Sequence, residues 1–234
     1  MKTLSELINL DESGLVLIRE WAAEAKNPVE VLTCDRPDGE RALLALQVTT
    51  RSPMGALAYE TGGLLVDHGW VRVLGAGCPR LPRGIDTWNG LAGGTRKIEG
   101  ALLVADDAVG GFFALNGDGL PGPAGHVFYH APDRLAWEDT AKGYSDWLNW
   151  LFLGDLEGYY EGMRWSDWRR DASALAGDRG FSIVPPPFTK GGPIEERSRR
   201  AVPSQELWHL YAVDLPKQLV GIEDGEVIAL CNRT

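Results

Sequence analysis

Asp106, Asp107, Asn116 and Asp118 crowd oxygen-bearing side chains into and just beyond the stretch VADDAVGGFFALN, residues 104–116. Such a set suits a hard cation, but a calcium loop places its ligands at alternating close positions and closes on a bidentate acid. That spacing is absent, and turn chemistry accounts for the same residues. Asp and Asn bond their own backbone, and the pair Gly110 and Gly111 admits left-handed or closely approached main chain. The stretch therefore reads as a strand over 102–105, a turn over 106–111 and an antiparallel second strand over 112–115, with no metal expected on Asp106 and Asp107.

Other reactive residue types are scattered. His126 and His130 alternate onto one face of an extended HVFYH segment, yet four residues of strand separate them by roughly 13 Å, too far for one ion. No serine stands in a Gly-x-Ser-x-Gly elbow. VLGAGCP lacks the Lys-Ser/Thr pair of one phosphate loop and the third spaced glycine of the other, so it reads as a bend. Cys34, Cys78 and Cys231 lack the close pairing of a zinc site or a redox motif, and reduced structural thiols are expected. Glu138, Asp139 and Asp146 offer paired carboxylates for acid/base work, against a default of solvated charge. Neither a metal nor a cofactor is expected.

Nine tryptophans, at 21, 70, 88, 137, 147, 150, 165, 168 and 208, are many for 234 residues, and most are assigned to the core. Trp88, in the irregular stretch DTWNG, and Trp150 are the candidates for exposure, where a large ring with a polar tip anchors a protein partner or stacks on a sugar.

The elements that must position these residues follow from periodicity. Leu15, Ile18, Ala22 and Ala25 predict an N-terminal amphipathic helix, capped by Asp11 or Ser13 and ended by Asn27 and Pro28. RALLALQ is a weaker helix, and GLLVDHGWVRVLG predicts a hairpin around Asp67, His68 and Gly69. Residues 77–94 read as an irregular excursion rich in Gly and Pro, and HVFYH as the strand that completes a three-strand meander. The period then changes: Tyr144, Trp147, Leu148, Leu151 and Phe152 share one helical face, which Trp150 leaves. Leu156, Tyr159, Tyr160 and Met163 repeat the pattern, and Ser166 is placed as the cap of a third helix bearing Trp168 and Leu175. FSIVPPPFTKGG reads as a rigid extended strip, Ser204 as the cap of a short helix with Leu207, Leu210 and Tyr211, and GIEDGEVIALCNRT as a final hairpin. The expected fold class is α+β, a mixed or mainly antiparallel sheet packed by helices, as one domain over 1–234. Its core covers about 1–155, and an extra helical, proline-rich C-terminal part covers about 156–234.

Charge narrows the partners. Thirty-three acids against 23 bases give a formal net charge of −10, which repels nucleic acid and anionic lipid and attracts a basic protein. The N-terminal stretch carries Glu6, Asp11 and Glu12 and builds no continuous apolar run, so neither a secretory leader nor a membrane span is read there. A cytoplasmic protein is expected.

LQVTTRSPMGALAYETGGLLVDHGWVRVLGAG, LLVADDAVGGFFALN, VFYHAPDRLAWEDTAKGYSDWLNWLF and YYEGMRWSDW resemble a bacterial family that carries only a domain-of-unknown-function label, over most of the chain. That resemblance implies no established activity. More distantly, the order of N-terminal helix, Gly-rich strand turn, GGFFALN strand, VFY strand and SDWLNWL helix is similar to the SUKH superfamily, whose bacterial members include immunity proteins that bind and neutralise toxins. The chain departs from it in the helical and proline-rich C-terminal part.

The expected function is non-catalytic protein binding, most concretely SUKH-like immunity against a basic toxin. Trp88, Asp106, Asp107, Glu138, Asp146 and Trp150 are the candidate contact residues. The alternative is an enzyme acting on a small polar or sugar substrate in a tryptophan-lined cleft, with Asp106, Asp107 or Glu138 in acid/base roles.

Overall fold

Seven strands pair in chain order into one antiparallel sheet: β1 (Val29–Leu32), β2 (Gly63–Val66), β3 (Val71–Leu74), β4 (Ala101–Asp107), β5 (Phe112–Asn116), β6 (His126–Ala131) and β7 (Ala136–Gly143). The computed structural model describes residues 1–219 apart from 10 and 92. Two helices, α1 (Leu4–Leu7) and α2 (Gly14–Ala23), precede these strands; α3 (Arg36–Leu46), α4 (Pro53–Glu60) and α5 (Ile85–Trp88) lie between them, and α6 (Tyr144–Leu153), α7 (Leu156–Tyr159) and α8 (Trp168–Ala174) follow. A separate pair, β8 (Arg179–Val184) and β9 (Ser198–Pro203), leads into α9 (Ser204–Leu207), a π-helical segment Trp208–Asp214 and α10 (Leu215–Gln218). The fold class is α+β with a helical C-terminal part, as expected.

Because side chains alternate along a strand, cross-strand partners form continuous rows on each face. One row runs Val31, Leu64, Val73, Ala105, Phe113, Tyr129 and Glu138 across all seven strands, passing from apolar to acidic at the β7 edge. This face packs against Ile18 of α2, Leu57 of α4 and Trp147 and Leu148 of α6. The neighbouring row on the opposite face runs Glu30, Leu65, Arg72, Asp106, Phe112, His130 and Trp137. There Phe112 and Phe128 meet Leu207, Trp208 and Tyr211 of the C-terminal helices. Residues beyond 155 are built into the first core as well, through Leu156, Tyr160, Trp165, Trp168 and Ile183.

Local expectations fare unevenly. All five stripe residues of α6 are buried, and Ser13 caps α2 by accepting from the Leu15 N–H. The hairpin at Asp67 to Gly69 forms with left-handed backbone at Asp67, His68 and Gly69. The β4 strand extends through Asp106 and Asp107, so the turn to β5 is shorter than the 106–111 span expected. VEVL and AWEDTAKG are strands, and PMGALAYE is a helix capped by Ser52, none of which periodicity announced. Ser166 caps nothing, since its N–H and hydroxyl both donate to Glu195, and Ser204 is the first residue of α9 rather than its cap. The triple proline opens a loop joining β8 to β9, and Arg197 clamps that loop by donating to the carbonyls of Pro185, Pro186, Thr189 and Gly192. The expected final hairpin lies outside the described residues.

Candidate functional site

Asp106 stands directly across from Arg72 in the sheet, and Arg72 Nε donates to it at 2.7 Å. Arg83 donates to its second oxygen. The remaining guanidinium donors are also used: Arg72 bonds the carbonyls of Asp107 (2.8 Å) and Arg179, and Arg83 bonds that of Gly177 at 2.6 and 3.1 Å. Burial pulls the Arg72 guanidinium below its ordinary pKa, and the Asp106 charge opposes that shift.

Asp107 works on the turn. One carboxylate oxygen accepts from the N–H groups of Val109 (3.0 Å) and Gly111 (2.8 Å), and the other accepts from the Tyr129 hydroxyl at 2.7 Å. Burial raises its carboxyl pKa, with these hydrogen bonds opposing. At 1% and 0% exposure, Asp106 and Asp107 are enclosed and have internal partners. Neither stands at a surface where a partner protein meets it, contrary to the role assigned from sequence, because both arginines that enclose Asp106 come from more than twenty residues away in the chain.

Trp88 is half-buried at the end of α5, between two cations: Arg83 lies 4.8 Å and Lys97 Nζ 4.1 Å from its ring centroid. Lys97 also donates to Gln205 Oε1 at 2.6 Å and stands 5.8 Å from the Trp208 ring, and burial followed by the Arg83 charge lowers its pKa. The chain's own side chains thus cover this ring.

The other three sequence candidates converge. Asp146 and Trp150 lie one helical turn apart on α6, so their side chains share a face. Trp150 is half-buried and meets the edge of the Tyr159 ring at 4.9 Å and 75°. Tyr159 packs in turn on Tyr129 at 5.6 Å, and Glu138 is the cross-strand partner of Tyr129, which brings its carboxylate to the same side of the sheet. Burial raises the Tyr159 phenol above its ordinary range, and the negative charges of Asp107, Glu138 and Asp133 add to the shift. The residue as a whole is nonetheless 38% exposed. Lys142 closes the group, its Nζ 5.7 Å from the Trp150 ring.

The result is an acid-bordered aromatic ledge made by β7, α6 and α7. Sequence reading found Glu138, Asp146 and Trp150 but placed Tyr159 in a buried stripe. The signal that marks Tyr159 is Gly158 beside it, within a helix of a single turn. A concavity of about 430 Å³ lies over β1–β3 on the opposite sheet face, lined by Glu30, Leu65, His68, Arg72, Arg80 and Asp178 among others. Arg80 pairs there with Glu30, and Arg72 is already committed to Asp106. Among the described residues no group of three or more His, Cys, Asp or Glu side chains is placed to hold a metal ion, and no helix is long and apolar enough to cross a membrane. His126 and His130 do not meet: His126 pairs with Asp139 at 3.0 Å, and His130 is buried edge-on against Trp137.

Comparison with known proteins is consistent in one direction. The chain is 41% identical over 214 residues to the putative uncharacterized protein YbfG of Escherichia coli K12, covering 90% of this chain and 95% of that one. It is 39% identical over 187 residues to an uncharacterized protein of Haemophilus influenzae, covering 79% and 82%. No solved structure matches, and the SUKH resemblance has no counterpart among these matches. The family model described as "Protein of unknown function DUF2625" matches residues 4–207, and the chain belongs to that family.

Proposed function

We propose that this chain is a non-catalytic protein-binding module that docks a basic segment of its partner on the ledge formed by Trp150 and Tyr159 and bordered by Asp133, Glu138 and Asp146. The observation that carries this reading is the partly exposed Tyr159, set edge-on against Trp150 and within electrostatic reach of Glu138 and Asp133. Aromatic anchors dominate interface energetics, and rim charges steer the encounter. A net charge of −10 favours a cationic partner over nucleic acid or lipid. A basic toxin neutralised by capture is the most specific form of the reading. We place the protein in the cytoplasm, where free thiols such as Cys34 and Cys78 persist.

The test is co-purification from the native host followed by dissociation kinetics. Trp150→Ala and Tyr159→Ala should each speed release of the captured protein by about tenfold or more, the loss of an anchor being worth at least ~1.4 kcal/mol. Melting curves taken alongside separate lost binding from lost folding. Recovery of a turned-over small molecule and no protein, or release rates untouched by both substitutions, would overturn the reading.

A further inference from the structure

Resting on that reading of the ledge, we propose that the group it recognises is a guanidinium: an arginine side chain of the partner laid on the Trp150 and Tyr159 rings, with a carboxylate of Asp146, Glu138 or Asp133 at its edge. The chain uses the same arrangement for its own arginines. Arg164 lies 3.9 Å from the Trp168 ring centroid, 4.8 Å from Trp70 and 5.0 Å from Tyr160, while its Nη2 donates to Asp67 at 2.6 Å. Arg83 stacks on Trp88 and grips Asp106 with its free end. In both, a ring covers the flat face of the cation and a carboxylate takes its N–H groups, which suits the planar, weakly hydrated, forked guanidinium better than a compact, strongly hydrated ammonium.

The ledge brings the same residue types together at a partly exposed site. Trp150 and Tyr159 supply two rings at 75° to one another, Asp146 sits one helical turn from Trp150, and Glu138 lies across the strand pair from Tyr129. Its resident cation is a poor match. Lys142 Nζ is 5.7 Å from the Trp150 centroid, near the ~6 Å limit for such contacts, and it also donates to the Thr140 carbonyl at 3.2 Å. Among the described residues, Glu138 is held only by the exposed Arg134 at 3.2 Å, and Asp146 has no ion pair. An arriving arginine therefore displaces weakly held groups and gains a stack and a fork together.

Three blocked peptides test this with the full chain: acetyl-Gly-Arg-Gly-Arg-Gly-amide and its lysine and citrulline counterparts, titrated by calorimetry. The arginine peptide should bind roughly three- to thirtyfold tighter than either other, the range expected of a cation–ring contact. Asp146→Asn, at an exposed position and with its fold checked by a melting curve, should remove much of that preference, and Trp150→Leu should abolish it. Lys142→Ala should tighten the arginine peptide by about two- to fivefold by removing the internal competitor. Equal affinity for lysine and arginine peptides, or an arginine preference that survives Trp150→Leu with the fold intact, would overturn the inference. The two proposals fail separately: a native partner whose release depends on Trp150 but is indifferent to Arg→Lys changes in its own basic segment removes the guanidinium and leaves the ledge. A partner whose release is indifferent to both Trp150→Ala and Tyr159→Ala removes both.

Discussion

Arg72 and Arg83 divide the two oxygens of Asp106 between them, and with Asp107 they put two acids and two bases out of reach of water. Removing one member leaves an uncompensated buried charge, so Arg72→Met should cost about 3–5 kcal/mol in urea unfolding, whereas Glu12→Gln, which breaks an exposed pair with Arg51, should cost under about 1 kcal/mol. His130 gives the pH dependence. Burial depresses its pKa to about 4, and its ring lies 5.1 Å from Trp137. The unfolded chain takes up that proton near pH 6.5, so it holds more protons than the folded one between the two values. Stability is therefore full above about pH 6.5 and is lost as pH falls toward 4. His130→Phe should remove an acid sensitivity on the order of 3 kcal/mol, read as the difference in unfolding free energy between pH 7 and pH 4. At this scale the sequence shows that Asp107 belongs to turn chemistry, but not that Asp106 is enclosed, because Arg72 and Arg83 are distant in the chain and only strand register and the packing of residues 77–84 bring them in.

The elements most legible in the sequence are those whose apolar period is strong. The stripe on α6 is buried against the sheet, with Trp147 on Phe113 at 5.3 Å, and Leu148→Ala should destabilise by about 2–5 kcal/mol. β1 and β7 are less legible because they are the two edges of the sheet: VEVL is only four residues long, and AWEDTAKG turns charge rather than an apolar face outward. α4 is hidden by its small residues, and Tyr159 by the ending of α7 after one turn, which interrupts the periodicity that placed it in a stripe. Close approach of α3 to the end of α4 gives a test in which propensity and packing oppose each other. A Cβ at Gly39 would collide with the Tyr59 carbonyl oxygen, so Gly39→Ala should lower the melting temperature although alanine favours an isolated helix by ~1 kcal/mol.

The molecule as a whole combines a sheet packed along one face, and over β4–β6 on the other, with an acidic composition and an aromatic ledge at the β7 edge. Net charge is readable from composition, and three of the six sequence candidates fall on the ledge. The convergence of Glu138, Asp146 and Trp150 depends on β7 running directly into α6, a junction that periodicity alone does not locate. If the ledge is the docking face, its acids accelerate encounter while its rings slow release, and the two effects separate in kinetics. The most direct measurement is the association rate of the co-purified partner as a function of ionic strength, for the native chain and for Asp133→Asn, Glu138→Gln and Asp146→Asn combined. A rate that falls steeply with salt for the native chain, with a clearly shallower dependence once the three acids are neutralised, is the expected result. The same salt dependence in both proteins would contradict the assignment of the ledge.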